Sequence, residues 1–289
     1  MNKLGTEIQQ AHAISELQRL YLDLMKNTLT RYSFGEPYRE IIYRRGSWQR
    51  FIMAPVQSIM RLKGYVLCKP GTFSRERRES GEDWPSEAET MIGVKRLDNI
   101  QFCVTQVLAN GIPGDLIETG VWRGGASIFM RAILKSAGSD RSVWLADSFE
   151  GLTKPNITNY PADAAELRKE GFWKFDQLAV SVEQVKINFQ KYGLLDSQVK
   201  FLKGWFRDTL PTIPSDQRFS VIRLDGDLYE STWDALSNLY EKLSPGGYCI
   251  IDDYGGIPAC AKAVEDYRRA QAINSPILKV DKTGVFWRK

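Results

Sequence analysis

Apolar positions divide the chain of 289 residues into two regions with different periodicity. Residues 11–32 place apolar side chains three and four positions apart, a spacing that predicts a helix with one buried face. A second apolar-rich segment covers about residues 48–68, and because basic residues interrupt it, we interpret it as an amphipathic or core-facing helix. The charged stretch from Lys69 to Pro85 predicts a loop, which completes a helical N-terminal region of residues 1–85.

A third predicted helix, Ser86–Asn110, begins the second region, residues 86–289. From Gly114 onward, short apolar runs alternate with helix-length segments, which predicts right-handed crossovers and a parallel sheet covered on both faces. The predicted strands are Asp115–Glu118, Ser142–Ala146, Val199–Leu202, Phe219–Leu224 and Gly247–Ile251, and the predicted helices include Gly125–Ser136, Ser181–Tyr192 and Ser231–Lys242.

The last strand is expected to run in the opposite direction to its neighbour. Apolar segments 277–280 and 285–287 flank the sequence Asp-Lys-Thr-Gly, which is typical of a hairpin. The predicted fold class is therefore α/β, with a Rossmann-like, seven-stranded, mostly parallel sheet that is closed by an antiparallel C-terminal strand.

Composition and charge exclude several classes of protein. The hydrophobic fraction is 43% and the charged fraction 26%, and no uninterrupted apolar run is long enough to span a membrane. The first ten residues lack the apolar centre of a signal peptide, so we expect a cytoplasmic protein. The net charge is +4, and the basic cluster in residues 61–78 is interleaved with acids. We interpret this cluster as a solvated loop and expect no nucleic-acid partner.

Cysteine and histidine are too sparse for the common metal and redox sites. The four cysteines form no C-x-x-C pair and are interpreted as buried, reduced thiols. His12 is the single histidine, so a general base must come from a carboxylate, a tyrosine or a lysine.

A turn with two glycines follows the first predicted strand of the sheet. The sequence Glu118-Thr119-Gly120-Val-Trp-Arg-Gly124 leads into a helix, and its glycines let the backbone approach a ligand closely. The turn lacks the G-x-G-x-x-G spacing that binds phosphates, and the Glu118 carboxylate is suited to a positively charged amino group. The pattern favours a nucleoside ligand without phosphates.

A second acid, Asp147, ends the next predicted strand. An acid in this place can accept hydrogen bonds from both ribose hydroxyls of a nucleoside. Trp205 follows the third strand, where it either stacks on an adenine or belongs to the core. The two strand-end features together indicate a dinucleotide or S-adenosylmethionine site, and the missing phosphate-binding turn favours S-adenosylmethionine.

Three further acids, Asp225, Asp252 and Asp253, end the fourth and fifth predicted strands. Since the carboxyl ends of adjacent parallel strands face one crevice, we expect these carboxylates to lie close together. A cation would relieve their repulsion, and ligands that are all oxygen favour Mg²⁺, with Mn²⁺ or Ca²⁺ as substitutes. The alternative is that one or two of these acids cap the helices that follow.

A cation in this place would position an acceptor hydroxyl and lower its pKa, which prepares the oxygen to attack a sulfonium methyl group. Asp225 or Asp227 is then the expected catalytic base, and the sequence does not distinguish between them. The residues therefore predict a metal-dependent O-methyltransferase.

Several segments resemble the macrocin O-methyltransferase family, which includes mycinamicin and novobiocin sugar O-methyltransferases. These segments extend over most of the chain from about residue 83 to the C-terminus, and they are Asp115–Ala126, Ala146–Leu152, Leu178–Ser181, Gly204–Pro211, Leu224–Ser231, Leu243–Tyr248 and Ile251–Gly255.

The resemblance implies a class I methyltransferase fold, S-adenosylmethionine as the donor, and Mg²⁺ on Asp225, Asp252 and Asp253. It also implies that N-terminal helices form a lid over the site and contribute to contacts in a homo-oligomer, a dimer or larger. The implied cofactor contacts are Met91, Glu118, Thr119, Gly120, Gly124, Asp147, Ser148, Ser181, Gly204 and Trp205.

Substrates in this family are deoxysugar hydroxyls on macrolides and other antibiotics. The segment from about residue 34 to residue 81 is longer and more basic than the family pattern, and it adjoins the expected lid. The acceptor is therefore expected to be a hydroxylated small molecule of secondary metabolism: a sugar, a polyketide, a peptide or a phenol.

Two other functions are compatible with a fold of this kind. A nicotinamide-dependent oxidoreductase would leave the acids at the strand ends without a role. A non-catalytic binding protein with a methyltransferase fold would be expected to have lost the acids or the glycine turn, and both are present.

Overall fold

The computed structural model of the chain describes residues 15–35, 38–41, 43, 46–83, 85–168 and 175–289. Predictions for residues 11–14, and for His12 among them, lie outside these ranges. Within the described ranges, no helix combines the length and the apolar character that crossing a membrane requires.

The N-terminal region combines helices with a two-stranded antiparallel ribbon. Its elements are α1 (Glu16–Leu29), β1 (Tyr38–Glu40), α2 (Trp48–Leu62), β2 (Cys68–Pro70) and α3 (Arg75–Ser80), and β1 pairs with β2. Three side chains of α1, Leu22, Met25 and Leu29, belong to the same core cluster as the central sheet. The helix α2 has no buried residue, so it is amphipathic rather than core-facing.

The predicted loop between Lys69 and Pro85 is wrong, because it contains β2 and α3. The Ser74 side chain accepts a hydrogen bond from the backbone N–H of Arg77 at the start of α3, and Gly81 ends the helix with φ +71°. Arg78 is buried and pairs with Asp83 at 3.3 Å, so the basic cluster is not entirely solvated.

The other basic residues in that cluster are exposed, as predicted. Of the four cysteines, all unpaired, three are buried and only Cys68 in β2 is exposed, so the prediction of buried thiols is wrong for Cys68.

A seven-stranded mixed sheet forms the centre of the molecule, as predicted. Its strands are β3 (Asp115–Thr119), β4 (Val143–Asp147), β5 (Val199–Lys203), β6 (Phe219–Leu224), β7 (Leu243–Ile251), β8 (Leu278–Lys279) and β9 (Val285–Arg288), in the order β5-β4-β3-β6-β7-β9-β8. Neighbours from β5 to β7 are parallel, whereas β9 is antiparallel to both β7 and β8. The predicted hairpin and antiparallel C-terminal strand are confirmed.

Helices cover both faces of the sheet. They are α4 (Val94–Ala109), α5 (Gly125–Ser136), α6 (Ala164–Arg168), α7 (Val182–Lys191), α8 (Phe206–Thr209), α9 (Tyr229–Leu239) and α10 (Pro258–Ala270), with 3₁₀ turns at Pro161–Asp163, Asp176–Leu178 and Leu210–Thr212. Successive strand residues point to opposite faces, so Leu116 and Ile117 of β3 belong to two different core clusters.

The helix predicted from Ser86 begins only at Val94. Residues 86–93 are irregular, although their apolar side chains continue the helical spacing, and Gly93 is the N-cap of α4. A Cβ atom on Gly93 would lie 2.2 Å from the carbonyl oxygen of Glu79, so this close contact with the end of α3 requires glycine.

Candidate active site

A cleft lies at the carboxyl ends of β3, β4, β5 and β6. It contains about 820 Å³ of empty space, which includes open solvent at its mouth. The predicted site residues that line it are Met91, Gly120, Asp147, Ser148, Trp205, Asp225 and Asp227. Because parallel strands have their carboxyl ends at one edge of the sheet, residues that are distant in sequence lie together in this cleft.

The glycine turn brings the ends of β3 and β6 into close contact. The backbone N–H of Asp225 donates a hydrogen bond to the carbonyl of Thr119 at 2.9 Å. Gly120 has φ +80°, and a Cβ atom there would lie 1.7 Å from the carbonyl oxygen of Asp225. Only glycine fits this position, and its backbone forms part of the cleft wall.

Asp147 is held between two turns on the cleft wall. Its Oδ2 accepts a hydrogen bond from the backbone N–H of Val121 at 2.6 Å, and its Oδ1 accepts one from Phe149 at 2.7 Å. Burial raises the pKa of Asp147, and these backbone hydrogen bonds oppose that shift. Oδ2 also accepts a hydrogen bond from the backbone N–H of Trp122, and Oδ1 accepts one from the Ser148 hydroxyl, both at 3.4 Å. Since a carboxylate has about four acceptor positions, ribose hydroxyls of a ligand would have to replace these two long hydrogen bonds.

Trp205 is half-buried on the wall of the cleft rather than in the core. It is the N-cap residue of α8 and directly follows Gly204, which has φ +141°. A flat aromatic surface in this position is suited to stacking on a base.

Glu118 does not line the cleft. Its carboxylate is buried, accepts a hydrogen bond from the Ser127 hydroxyl and pairs with Arg223 at 2.5 Å. Burial raises the pKa of Glu118 to about 7, and Arg223 opposes the shift. The expected contact with an amino group of the ligand would therefore compete with a partner already present in the protein.

Four more of the predicted cofactor residues lie outside the cleft lining: Thr119, Gly124, Ser181 and Gly204. Ser181 caps α7 by accepting a hydrogen bond from the backbone N–H of Gln184 at 3.2 Å. Gly124 has φ +89°, and a Cβ atom there would lie 2.9 Å from Val185 Cγ1. In this structure these two residues shape the turns around the cleft.

Three carboxylates converge at the ends of β6 and β7. Oxygen atoms of Asp225, Asp227 and Asp253 all lie within 4.8 Å of one another. Burial, reinforced by the neighbouring carboxylates, raises the pKa of Asp225 to about 6 and that of Asp227 to about 8. It raises the pKa of Asp253 as well, and the buried Oδ2 atom of Asp253 has no hydrogen-bond partner. This arrangement is suited to a cation.

Asp252, which was expected in this group, faces two arginines instead. Its Oδ1 pairs with Arg223 at 2.5 Å, and its Oδ2 pairs with Arg96. Arg223 also pairs with Asp225 at 3.0 Å. The structure thus brings together two of the three predicted metal ligands, with Asp227 in the place expected for Asp252.

The alternative that these acids cap the following helices is wrong. At the start of α9, the carboxylate of Asp163 accepts hydrogen bonds from the backbone N–H groups of Tyr229 and Glu230, at 2.7 and 3.3 Å. The helix α10 starts with Pro258 and, over the ranges that the structure describes, has no side-chain cap. The acids at the strand ends are therefore free of this structural role.

Two arginines, Arg96 and Arg223, and part of the cleft wall were not predicted from the sequence. Arg223 lies within the buried strand β6, and a charge in such a strand is a signal that it has buried partners. The other residues that line the cleft are Trp122, Gly151, Leu152, Thr153, Leu178, Phe206, Arg207, Gly226, Glu230, Ser231 and Asp234.

Comparison with known proteins identifies the family of the chain. The family model described as "Macrocin-O-methyltransferase (TylF)" matches residues 18–289. The chain belongs to the macrocin O-methyltransferase family. The resemblance to this family that the sequence segments indicated is confirmed.

Curated relatives match almost the whole chain. The 8-demethyl-8-(2,3-dimethoxy-alpha-L-rhamnosyl)-tetracenomycin-C 4'-O-methyltransferase of Streptomyces olivaceus is 52% identical over 270 residues, which cover 93% of this chain and 92% of the relative. Demethyldecarbamoylnovobiocin O-methyltransferase of Streptomyces niveus is 45% identical over 285 residues, 98% of each chain.

A solved structure of the O-methyltransferase NovP has a TM-score of 0.78 and 45% sequence identity, and the match covers 94% of this chain and 99% of that one. This macrocin O-methyltransferase family member is therefore an O-methyltransferase with the fold of S-adenosylmethionine-dependent enzymes. The family assignment decides against the nicotinamide oxidoreductase and the non-catalytic binding protein.

Proposed function

We propose that this enzyme transfers the methyl group of S-adenosylmethionine to a hydroxyl of a sugar carried by a natural product, with Mg²⁺ bound at the strand-end acids. The relative that is 52% identical supports the sugar acceptor, because its name specifies 4'-O-methylation of a compound with a rhamnosyl group. Polyketide, peptide and phenol hydroxyls are the alternatives that the experiment below must exclude.

The main support for Mg²⁺ binding is that three carboxylates lie close together. The donors are all carboxylate oxygens, which suit Mg²⁺, and the unpartnered Oδ2 of Asp253 is a buried acceptor that a cation would satisfy. Asp225 and Asp253 belong both to the predicted set and to the observed one. The third ligand is Asp252, if it leaves its arginines, or Asp227, which already lies in the group.

A bound divalent cation would supply positive charge that lowers the pKa of the acceptor hydroxyl. The protein positions the two reactants and accepts the proton. Asp147 and Trp205 hold the ribose and the adenine of the donor, and Asp225 or Asp227 takes the proton of the hydroxyl as its oxygen bonds to the methyl carbon. The sulfonium becomes a neutral thioether, so charge balances.

The N-terminal helices are proposed to cover the cleft and to form contacts in a homo-oligomer. Arg50 of α2 pairs with Asp176 at 3.2 Å, in the 3₁₀ turn that contributes Leu178 to the cleft wall. The apolar side chains of Phe51 and Leu62 are 86% and 88% exposed, which leaves an apolar surface on α2 for a further contact.

The proposal is tested by supplying the purified enzyme with S-adenosylmethionine, Mg²⁺ and either a rhamnosylated natural product or the matching aglycone. Mass spectrometry of the products should show one added methyl group on the sugar of the glycoside and none on the aglycone. Methylation of the aglycone would move the acceptor from the sugar to the polyketide or phenol class.

A further inference from the structure

Arg96 connects three parts of the molecule that are far apart in sequence. It lies in the first turn of α4, and its guanidinium binds Asp252 at the end of β7 as well as Asp281 and Thr283 in the turn before β9. The Nε–Oδ2 distance to Asp281 is 2.8 Å, and the two carboxylates that Arg96 binds are 7% and 4% exposed.

The hairpin turn also packs directly on the segment that follows the acids. The backbone N–H of Gly255 donates a hydrogen bond to the carbonyl of Thr283 at 2.8 Å, and a Cβ atom on Gly255 would lie 2.1 Å from the carbonyl oxygen of Lys282. The turn itself is fixed by Asp281, whose Oδ1 accepts hydrogen bonds from the backbone N–H groups of Thr283 and Gly284. The strand end is thus held between α4 and the hairpin.

Only arginine can make this set of contacts. Its planar guanidinium presents five N–H donors in a fixed fork, whereas a lysine ammonium is a single point of charge on a flexible stem. Neither Asp281 nor Thr283 lines the cleft or belongs to the acid group, so both act on the site only through Arg96 and the packed turn.

We infer that Arg96 is a positioning residue, which with Asp281 and Thr283 holds the Asp252–Asp253 strand end against Asp225 and so assembles the cation site before the cation binds. This inference rests on the proposed function, because it concerns the same cation site.

The test compares Arg96→Lys and Asp281→Asn with the parent enzyme by calorimetric titration with Mg²⁺ in the absence of acceptor. Both variants should weaken Mg²⁺ binding by about tenfold or more, which is typical when a residue that orients metal ligands is replaced. The affinity for S-adenosylhomocysteine should stay unchanged, and turnover should recover at saturating Mg²⁺. The double variant should bind Mg²⁺ no more weakly than the single variant that binds it less tightly, because both changes break the same Arg96–Asp281 contact.

The matched control is Arg131→Lys. Arg131 is a buried arginine of α5 that pairs with Asp196 at 2.7 Å, away from the cleft, so this variant should lose stability and keep its Mg²⁺ affinity. If Asp281→Asn and Arg96→Lys bind Mg²⁺ as tightly as the parent enzyme, the inference fails and the proposed function stands. A parent enzyme that binds no Mg²⁺ overturns both.

Discussion

Arg223 has almost no exposed surface, and the oxygen atoms of three carboxylates contact its guanidinium. A buried charge is tolerated when opposite charges and hydrogen bonds surround it. Arg223 and Arg96 are shared among the carboxylates of Glu118, Asp225, Asp252 and Asp281. Among the described residues, no salt bridge joins either arginine to Asp227 or Asp253, so the charge of these two acids is not compensated in the same way. The imbalance at the residue scale is the physical reason to expect a cation here.

Alanine substitutions of the neighbouring residues Asp252 and Asp253, at the end of β7, should have different effects on the free energy of unfolding. Asp252→Ala removes one carboxylate partner from each of two buried arginines, which keep their other partners, and should destabilise the protein by about 1–3 kcal/mol. Asp253→Ala removes one of several repelling carboxylates and should leave stability unchanged or raise it. Urea denaturation without metal measures both, and equal destabilisation by the two variants would contradict this description of the acids.

Asp147→Ala tests the donor side of the cleft. Loss of charged hydrogen bonds to the ribose should weaken the binding of S-adenosylhomocysteine by about 1–3 kcal/mol, measured by calorimetry. Asp216→Ala, in an exposed turn, is the control and should bind as the parent does. Unchanged affinity in the Asp147 variant would show that this carboxylate serves only to fix the adjacent turns.

The acids of the site could be predicted because strand ends are visible in the sequence and parallel strands end at one edge. The ion pairs that these acids form with Arg96 and Arg223 could not be predicted. Asp252 and Arg96 are 156 positions apart in the sequence, and their contact depends on the packing of α4 on the sheet and on the C-terminal hairpin. No local pattern contains that information, so Asp252 was predicted to face the cation and not the arginines.

At the scale of elements, regular alternation was enough to locate β6 and α5 at both ends. It failed for α3, whose sequence Arg-Glu-Arg-Arg-Glu-Ser has no apolar residue and therefore no helical periodicity. The helix is instead held by its caps and by the buried Arg78. Elements that depend on capping and ion pairs leave little signal in hydrophobic patterning.

The contact between the ends of β3 and β6 is the element-level feature on which the cleft depends. Gly120→Ala should destabilise the enzyme more than Gly138→Ala. Both glycines have positive φ, which costs an alanine about 1–2 kcal/mol, but a Cβ atom at Gly138 meets no atom within 4 Å. Urea denaturation of the two variants isolates the clash with Asp225, and equal losses would show that the turn adapts without difficulty.

On the scale of the whole molecule, α1 and α2 differ in how they use their apolar faces. Part of α1 is packed into the core of the sheet, whereas α2 buries nothing in the single chain. Large exposed apolar surfaces mark contacts with other molecules. We therefore expect this surface to be covered in a homo-oligomer.

Sedimentation velocity should show a dimer or a larger assembly, and the double variant Phe51→Glu/Leu62→Glu should shift it toward the monomer. The introduced charges would be buried without partners in the interface. Ile187→Glu, on an exposed position of α7, should leave the assembly intact. A parent enzyme that sediments as a monomer would contradict the proposed assembly.

We propose that methyl transfer depends on a cation held by the strand-end acids. The initial rate of methyl transfer to a glycosylated acceptor, in excess chelator and again after Mg²⁺ is added back, measures this dependence. We predict that transfer stops in chelator and returns with Mg²⁺, while S-adenosylhomocysteine binds under both conditions. An undiminished rate in excess chelator would contradict the claim and leave the acids as proton acceptors alone.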